Sequence, residues 1–179
     1  MVQLIELGNR SLLRILTYFL RNPSASLSYT QLRKKIKIAK ATLTFHLKFL
    51  VKARIVTLQA IGLNKIYRLD MNNQVVRQLK VIDSLLLLEL LKEAAKKYGV
   101  EIYLYGSASR GEDLEGSDID LLVIGGVVKE KIFPEIRSLE RGIGRKVNFI
   151  IFSQLEWSQM ARKDAAFYER VEKDKVRIR

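Results

Sequence analysis

The sequence predicts an α/β protein of the α+β kind, in which a small helical part precedes a part built on a mixed β-sheet. Three stretches with apolar residues at helical spacing fill residues 10–52, and two short β-rich runs around a turn follow them. After residue 100, strand-length apolar runs bounded by Gly, Ser and Asp alternate with helical patterns. The 179 residues have room for one domain of typical size or two small ones.

The composition is that of an ordinary soluble globular protein, with 48% hydrophobic and 28% charged residues. The absence of cysteine excludes disulfides and thiolate metal sites. No segment approaches the ~18 consecutive apolar residues that a membrane span needs. The first 20 residues carry charges within their apolar pattern, unlike a signal peptide. We therefore expect a cytoplasmic protein.

Three helices are predicted in the first part of the chain. The first covers residues 10–20 and is stopped before Pro23; the second follows a Ser28 cap over residues 29–36. The third covers residues 40–52 and carries its leucines on one face. Strands are then expected at residues 55–58 and 66–69, around a turn at residues 62–65 with a basic tip. Three helices followed by a hairpin make a winged helix-turn-helix.

Positive charge is concentrated in this part of the chain. Residues 1–70 contain 13 Lys and Arg against two acidic residues, whereas residues 71–179 contain 19 against 17. A concentrated positive field indicates a nucleic acid or another anionic surface as partner. The alternative is a solvated, lysine-rich face.

The segment ATLTFHL at residues 41–47, followed by Leu50 and Ile55-Val56, resembles the recognition helix and wing entry of arsenical-repressor-type transcription factors. The resemblance implies that the third helix enters the major groove of double-stranded DNA and that the wing touches its backbone or minor groove. That family usually has a glycine where this chain has Arg54. A winged helix used only for dimerisation is the alternative. The DNA-contacting residues implied by the resemblance are Lys40, Thr42, Thr44, Phe45 and Lys48 on the helix, with Asn64 and Lys65 at the wing. The lone histidine, His46, adjoins the leucine face and is interpreted as a packing residue.

A polar junction at residues 71–73 separates the two parts, and we place the domain boundary after Asn72. This gives a domain at 1–72 and a second at 73–179. Residues 74–98 are predicted to form one linker helix that ends at Gly99. Its leucine-rich middle, residues 84–91, indicates burial on more than one side and favours a homodimer.

The stretch from residue 103 to 124 predicts two buried strands joined by a Gly/Ser turn and an acidic connection. Since side chains alternate across a strand, Asp118 and Asp120 point to the same face. Paired carboxylates suit Mg²⁺ or Mn²⁺. Gly106 allows close backbone approach, and N–H groups near it, with the Ser107 hydroxyl, suit phosphate. This combination is typical of phosphoryl or nucleotidyl transfer. An acidic hairpin loop in an unrelated α/β domain is the alternative.

Residues 106–111 (GSASRG) and 117–120 (SDID) resemble the signature of the DNA polymerase β-like nucleotidyltransferases, most closely their minimal prokaryotic members. The resemblance implies that Asp118 and Asp120 bind the metal ions. It also implies that Gly106 and Ser107 hold the triphosphate of ATP or another NTP. Arg110 and Ser117 would assist. AMP would be the transferred group and a hydroxyl the acceptor, including a tyrosine on a HEPN-type partner protein.

One position departs from that family. The third carboxylate, which deprotonates the acceptor in such enzymes, corresponds here to Asn148. An asparagine takes up no proton near pH 7 and cannot act as a general base. Glu140 and Glu156 are candidate substitutes. Two hypotheses stay open: a metal-dependent nucleotidyltransferase, and a nucleotide-sensing transcriptional regulator without catalysis.

The remaining elements follow from caps and breakers. The prediction comprises a helix over residues 128–141 with Pro134 in its first turn, a turn at 142–145, a strand at 146–151, a helix from the Ser153 cap to about residue 172, and a basic tail over 173–179 as a short edge strand.

Overall fold

The computed structural model describes residues 8–62 and 64–178. The first seven residues, Leu63 of the predicted hairpin turn and Arg179 of the predicted edge strand lie outside the described residues. The chain divides into two compact units, one ending at Lys80 and one beginning at Val81. Within the described ranges no helix is long and apolar enough to cross a membrane.

The first unit contains three helices and a small antiparallel sheet. Its elements are α1 (Arg10–Arg21), β1 (Leu27–Ser28), α2 (Tyr29–Ile36), α3 (Lys40–Lys52), β2 (Val56–Ile61) and β3 (Asn64–Leu69). The strands lie in the order β1-β3-β2. The three helices occupy the predicted positions, and Ser28 begins α2 with a full capping box to Gln31. The hairpin strands are longer than predicted, because Asn64 and Lys65 pair with Ile61 and Ala60 instead of forming the turn.

The core of the first unit follows the apolar pattern of its helices. Phe19, Leu32, Leu43 and Leu47 are all nearly inaccessible to solvent. His46 joins them at 5% exposure, which fits the packing role predicted for it. After α3 the backbone turns through Arg54 with φ of 55°, a left-handed conformation that favours glycine. Arg54, at the position where the resemblance implies a glycine, thus adopts a backbone conformation that glycine takes more readily.

Helices and a four-stranded sheet form the rest of the chain. The boundary between the two units falls within helix α4 (Gln74–Leu87). The elements that follow it along the chain are α5 (Leu91–Tyr98), β4 (Glu101–Tyr105), β5 (Ile119–Ile124), α6 (Lys129–Ile143), β6 (Val147–Phe152), α7 (Gln154–Lys163), α8 (Ala165–Asp174) and β7 (Val176–Ile178). The strand order is β6-β5-β4-β7, with β5 and β6 parallel and the other pairs antiparallel. The predicted α/β class with a mixed sheet is confirmed. In the basic tail, Val176–Ile178 form an edge strand of the described sheet, whereas residues 173 and 174 still belong to α8.

Alternation along β5 explains how the sheet is covered on both faces. Leu121 and Val123 join the core cluster that includes Ile132 of α6. Leu122 packs in the cluster of Trp157 and Val171, from α7 and α8. Because both faces of the strand are buried, its sequence is a nearly continuous apolar run after Asp120.

Two predicted helices are each broken in the structure. The single helix over residues 74–98 was wrong: α4 ends at Leu87 and α5 begins at Leu91. Between the two helices, backbone hydrogen bonds link residues three apart, from Leu91 N to Leu88 O and from Lys92 N to Glu89 O, and interrupt the α-helical pattern. The break buries Leu88 and Leu91 together in the core and leaves Leu90 74% exposed. A run of leucines hides such a break, since its apolar spacing continues through it.

The last predicted helix is also two helices. Asp164 ends α7 and caps α8, its Oδ1 accepting a 3.0 Å hydrogen bond from Phe167 N. The break lets α8 pack back on α7, with the rings of Trp157 and Tyr168 5.0 Å apart. In α6, Pro134 lies in the second turn, not in the first as predicted, because the helix begins at Lys129. That helix continues to Ile143 and ends at Gly144 in the left-handed region.

Candidate active site

The sheet registers bring the predicted site residues to one end of the sheet. Tyr105 at the end of β4 pairs with Asp120 of antiparallel β5. Asp120 also pairs with Asn148 of parallel β6. Gly106 follows β4, and Asp118 immediately precedes β5. Residues on or beside three strands therefore lie at one place, although Gly106 and Asn148 are more than 40 positions apart in the sequence.

Asn148 connects the two aspartates directly. Its Nδ2 donates a hydrogen bond of 3.0 Å to Asp118 Oδ2 and one of 3.3 Å to Asp120 Oδ1. The predicted proximity of the two carboxylates is thus seen in the structure. Asn148 supplies donor protons where a third carboxylate would add a negative charge, which lowers the repulsion between the pair.

A lysine that the sequence reasoning did not single out completes this group. Lys146 Nζ lies 3.3 Å from Asp118 Oδ2, and the Lys146 side chain is 68% exposed. The Asn148 amide, and after it the Lys146 ammonium, hold the pKa of Asp118 below its usual value. Asp118 is therefore an ionised, partly exposed carboxylate at neutral pH. The only sequence signal for Lys146 was the basic Arg145-Lys146 pair at the start of the strand predicted over residues 146–151.

Gly106 occupies a position where a side chain would meet the Asp120 carboxylate. Its φ is 77°, and a Cβ built on it would lie 2.7 Å from Asp120 Oδ2. The backbone leaving β4 consequently runs directly against the Asp120 carboxylate. The predicted use of Gly106 for close approach is explained here by a carboxylate of the site itself.

The turn after Gly106 is closed by its own serines. Ser109 is buried and donates a 2.8 Å bond from Oγ to the Gly106 carbonyl. The Ser107 carbonyl accepts from the N–H groups of Arg110 and Glu112, at 3.2 and 2.9 Å. These bonds fix the backbone of the loop while Ser107 remains partly exposed. Ser109 is a positioning residue that the sequence reasoning missed.

Arg110 has protein partners. Its Nε lies 2.8 Å from Glu112 Oε2 and its Nη1 lies 2.7 Å from Asp174 Oδ2. Hydrogen bonds to these carboxylates raise the pKa of the arginine. The residue ties the Gly/Ser loop to the end of α8.

Ser117 closes the connection before Asp118. Its Oγ accepts a 2.9 Å bond from Leu114 N. Its carbonyl accepts from Arg145 Nε and Nη2, at 3.0 and 2.8 Å. Arg145 Nη1 also pairs at 2.8 Å with Asp113, whose side chain is only 4% exposed. Arg145 and Asp113 hold the acidic connection in place, and nothing in the local sequence indicated that they meet.

The two glutamates considered as substitutes for the third carboxylate are engaged elsewhere. Glu140 accepts from Val147 N at 2.8 Å and from Arg137 at 2.7 Å. Glu156 caps the start of α7, after the far end of β6. A backbone hydrogen bond is the largest cause lowering the pKa of each. The structure therefore gives neither glutamate the place of the missing carboxylate.

The donor set fits a hard divalent cation. Among the described residues no group of three or more His, Cys, Asp or Glu side chains gathers to hold a metal ion. Mg²⁺, however, commonly binds through one or two carboxylates plus phosphate oxygens and water. Asp118 and Asp120 supply those carboxylates, and the Asn148 carbonyl oxygen is a further hard donor at the same position.

The residues proposed to contact DNA lie on the outer side of the first unit. Lys40, Phe45 and Lys48 are exposed on α3, with Phe45 exposed to 70%. Thr44 is half-buried, and its hydroxyl lies 3.1 Å from that of Tyr29, which also donates to the Lys40 carbonyl. Thr42 is half-buried on the same helix, and Asn64 and Lys65 are exposed at the start of β3. The exposed lysines of this set lie in two regions, Lys40 and Lys48 on α3 and Lys65 on the hairpin.

Comparisons with known proteins bear on the second unit. Residues 87–172 match the family described as "Nucleotidyltransferase domain". A solved structure described as "a putative nucleotidyltransferase from Sulfolobus solfataricus" is 27% identical over 60% of this chain and 90% of that chain, with a TM-score of 0.36. No curated protein was found to match the chain. The family match covers every residue of the candidate site. It supports nucleotidyl transfer as the general chemistry of residues 87–172, and domains of this family generally use an NTP and divalent metal ions.

Proposed function

We propose that the protein transfers AMP from ATP to a hydroxyl acceptor in a reaction that depends on a divalent metal ion. The acceptor oxygen bonds to the α-phosphorus, pyrophosphate leaves, and the hydroxyl proton passes to water. The observation that carries the proposal is the junction of Gly106, Asp118 and Asp120 at one end of the sheet, inside the segment that matches the family. A phosphate-accepting loop and a pair of metal-binding carboxylates have to meet for this chemistry. Here a glycine without a Cβ lets them meet.

Each residue has a definite part in the proposed reaction. Asp118 and Asp120 hold the metal ion, which when bound neutralises phosphate charge and orients the triphosphate. The backbone around Gly106 and the Ser107 hydroxyl donate hydrogen bonds to phosphate oxygens. Lys146 presents an exposed ammonium beside Asp118, and it adds positive charge where the triphosphate would bind.

The nature of this site also favours one class of acceptor. Asn148 takes up no proton, and the lowered pKa of Asp118 makes that carboxylate a weak base. A phenol, with an ordinary pKa of about 10, loses its proton far more readily than an aliphatic hydroxyl. We therefore favour a protein tyrosine as acceptor, on a partner such as a HEPN-type protein.

The side-chain amide of Asn148 also favours a second function, nucleotide sensing without catalysis. The two hydrogen bonds from Asn148 stabilise the aspartate pair without a metal ion. A site of this kind suits a regulator that binds nucleotide without turning it over. Binding and catalysis can be measured separately, so the two functions can be told apart.

The first unit is proposed to be a winged helix-turn-helix that binds double-stranded DNA. Its element order, with three helices and strands arranged β1-β3-β2, supports this. So does its charge, because residues 8–69 contain no Asp or Glu at all. Lys40, Phe45 and Lys48 of α3 would enter the major groove.

We further propose a homodimer, which suits a palindromic DNA site. Exposed apolar side chains within the second unit support it: Ile82, Leu86 and Leu90 are 52, 64 and 74% exposed. Light scattering after size-exclusion chromatography tests this directly. A mass of one chain at micromolar concentration would contradict it.

The decisive experiment for the site is calorimetric titration of Mg²⁺·ATP, CTP and GTP into the wild type and two variants. Asp118→Asn should lose nucleotide binding and keep DNA binding, whereas Glu130→Gln, an exposed acid at the start of α6, should change neither. Transfer of label from α-labelled ATP to a tyrosine-bearing protein then tests catalysis. Binding by the wild type without any transfer, to any acceptor, favours the regulator. Absence of Mg²⁺·ATP binding in the wild type would overturn both functions.

A further inference from the structure

One face of α8 runs along the Gly/Ser loop of the candidate site. Arg110, in the loop, pairs at 2.7 Å with Asp174, the last residue of α8. Tyr105, immediately before the loop, has its ring centroid 6.3 Å from that of Phe167 on the same helix, with the ring planes nearly perpendicular. The segment from residue 105 to residue 110 is therefore in contact with α8 at both of its ends.

The residue of α8 between these two contacts is an arginine. Phe167, Arg170 and Asp174 are spaced three and four positions apart, so they lie along one face of the helix. Since Phe167 and Asp174 both contact the loop segment, Arg170 lies beside that segment as well. Its side chain is exposed. Arg170 thus presents a positive charge next to the backbone that is proposed to hold phosphate.

The ring of Phe167 orients this charge. The guanidinium carbon of Arg170 lies 5.7 Å from the centroid of the Phe167 ring, within the range of a cation–π contact. A ring face holds a guanidinium without neutralising it. The charge of Arg110, in contrast, is met by the carboxylates of Glu112 and Asp174. The two arginines beside the loop therefore differ: Arg110 fixes the loop, and Arg170 is suited to a ligand.

Tyr105 relates Arg170 to the carboxylate pair. Tyr105 pairs with Asp120 across β4 and β5, which places their side chains on the same face of the sheet. Burial, and after it the Asp120 carboxylate, raise the pKa of the Tyr105 phenol, whereas Arg170 lowers it. Arg170 and Asp120 are thus both near the same phenol. With Lys146 beside Asp118, each carboxylate of the pair has a cation in its neighbourhood.

The charge of Arg170 suits one part of the substrate. A nucleobase and a tyrosine acceptor are both uncharged at neutral pH, so neither would make use of a cation here. The β- and γ-phosphates of a nucleoside triphosphate carry most of its negative charge. A guanidinium matches phosphate oxygens with two parallel donors, which gives strong charge-assisted hydrogen bonds.

We propose that Arg170 binds the β- and γ-phosphates of the nucleotide and makes the site select a nucleoside triphosphate over a monophosphate. This inference rests on the proposed function, because it assigns a part of the substrate to the same site. In the transfer, the bond between the α-phosphorus and the bridging oxygen breaks as the acceptor oxygen bonds to that phosphorus. The negative charge that grows on the leaving pyrophosphate is then stabilised by Arg170.

The test is calorimetric titration of Mg²⁺·ATP, Mg²⁺·pyrophosphate and AMP into the full chain. Arg170→Gln should weaken binding of ATP and of pyrophosphate at least about tenfold, because it removes a charge-assisted contact. It should leave the affinity for AMP unchanged, since AMP lacks both distal phosphates. Arg162→Gln is the matched control, which removes the same charge from an exposed position in the last turn of α7. It should change ATP affinity by less than about threefold, since exposed charges that do not touch the ligand are screened.

Arg170→Lys separates the charge from the packing on Phe167. It keeps a cation at this position and should bind ATP more tightly than Arg170→Gln does, with thermal unfolding of both variants close to that of the wild type. Wild-type ATP affinity in Arg170→Gln, together with lost binding in Asp118→Asn, would overturn this inference and leave the proposed function standing. Equal weakening of ATP and AMP, or an Arg170→Lys variant no better than Arg170→Gln, would also overturn it. Absence of Mg²⁺·ATP binding in the wild type would overturn the proposed function and this inference with it.

Discussion

Gly106 and Asp120 approach each other so closely that the space between them admits no side-chain carbon on the glycine. A Cβ at residue 106 would lie 2.7 Å from Asp120 Oδ2, and the φ of 77° adds its own strain for any other residue. The backbone at Gly106 therefore lies directly against the Asp120 carboxylate, and a side chain at residue 106 would displace that carboxylate.

Gly106→Ala is expected to destabilise the protein by about 1–3 kcal/mol, because the new methyl group meets the carboxylate in a backbone conformation unfavourable for alanine. Mg²⁺·ATP binding should be lost with it. Urea unfolding and calorimetry measure the two effects. Gly116→Ala is the matched control, since a Cβ there would meet no atom within 4 Å. A Gly106→Ala variant as stable as Gly116→Ala would refute the proposed close contact.

Asn148→Asp should raise the affinity for free Mg²⁺ at least about tenfold, because a third carboxylate joins the pair that the amide now neutralises. Without metal the same variant should lose stability, by about 1–3 kcal/mol, as two hydrogen bonds become repulsions. Thermal unfolding in EDTA and in Mg²⁺ separates the effects. Asn72→Asp, an exposed junction residue, is the control. Unchanged Mg²⁺ affinity in Asn148→Asp would show that this position does not face the metal.

Lys40→Ala with Lys48→Ala should weaken duplex DNA binding and flatten its salt dependence. Each lost phosphate contact lowers the slope of log K against log salt by about 0.9. Fluorescence anisotropy at several salt concentrations gives that slope. Lys131→Ala with Lys173→Ala removes the same charge from exposed positions of the second unit. If both pairs flatten the slope equally, α3 is not the contact surface.

The stability of the first unit should fall as the pH is lowered from 7.5 to 5.5. Burial lowers the pKa of His46 in the folded state, so the unfolded chain, with a pKa near 6.5, binds the proton more readily. The contribution is present above the unfolded pKa and is lost as pH falls toward the folded one. Urea unfolding at several pH values measures it. His46→Leu should remove most of this dependence; a dependence unchanged in that variant would assign it to other groups.

What the sequence predicted correctly was set by local chemistry. Strand alternation placed Asp118 and Asp120 on one side, and Ser28 and Ser153 marked helix starts through capping boxes. The leucine pattern of α3 likewise indicated the helix face that becomes core.

What the sequence did not predict depends on residues far apart in the chain. The meeting of Lys146 with Asp118, and of Arg145 with Asp113, is created by the parallel pairing of β5 and β6. The helix break at Leu88 escapes periodicity because leucines occupy both sides of it. Asp164 follows Arg162 and Lys163 and so resembled one more solvent-facing position of a helix, yet it caps a new helix.

The position of β6 within the sheet has a consequence for the size of molecule the site can serve. In the described sheet β6 pairs on one side only, with β5, and it carries Asn148 near its beginning. Asn148 therefore lies at a corner of the sheet, and Asp118, to which it donates a hydrogen bond, retains 38% of its side-chain exposure. A bulky folded protein can present a side chain to such an exposed carboxylate without any part of the chain moving aside, whereas a deeply buried carboxylate would be reached only by small molecules.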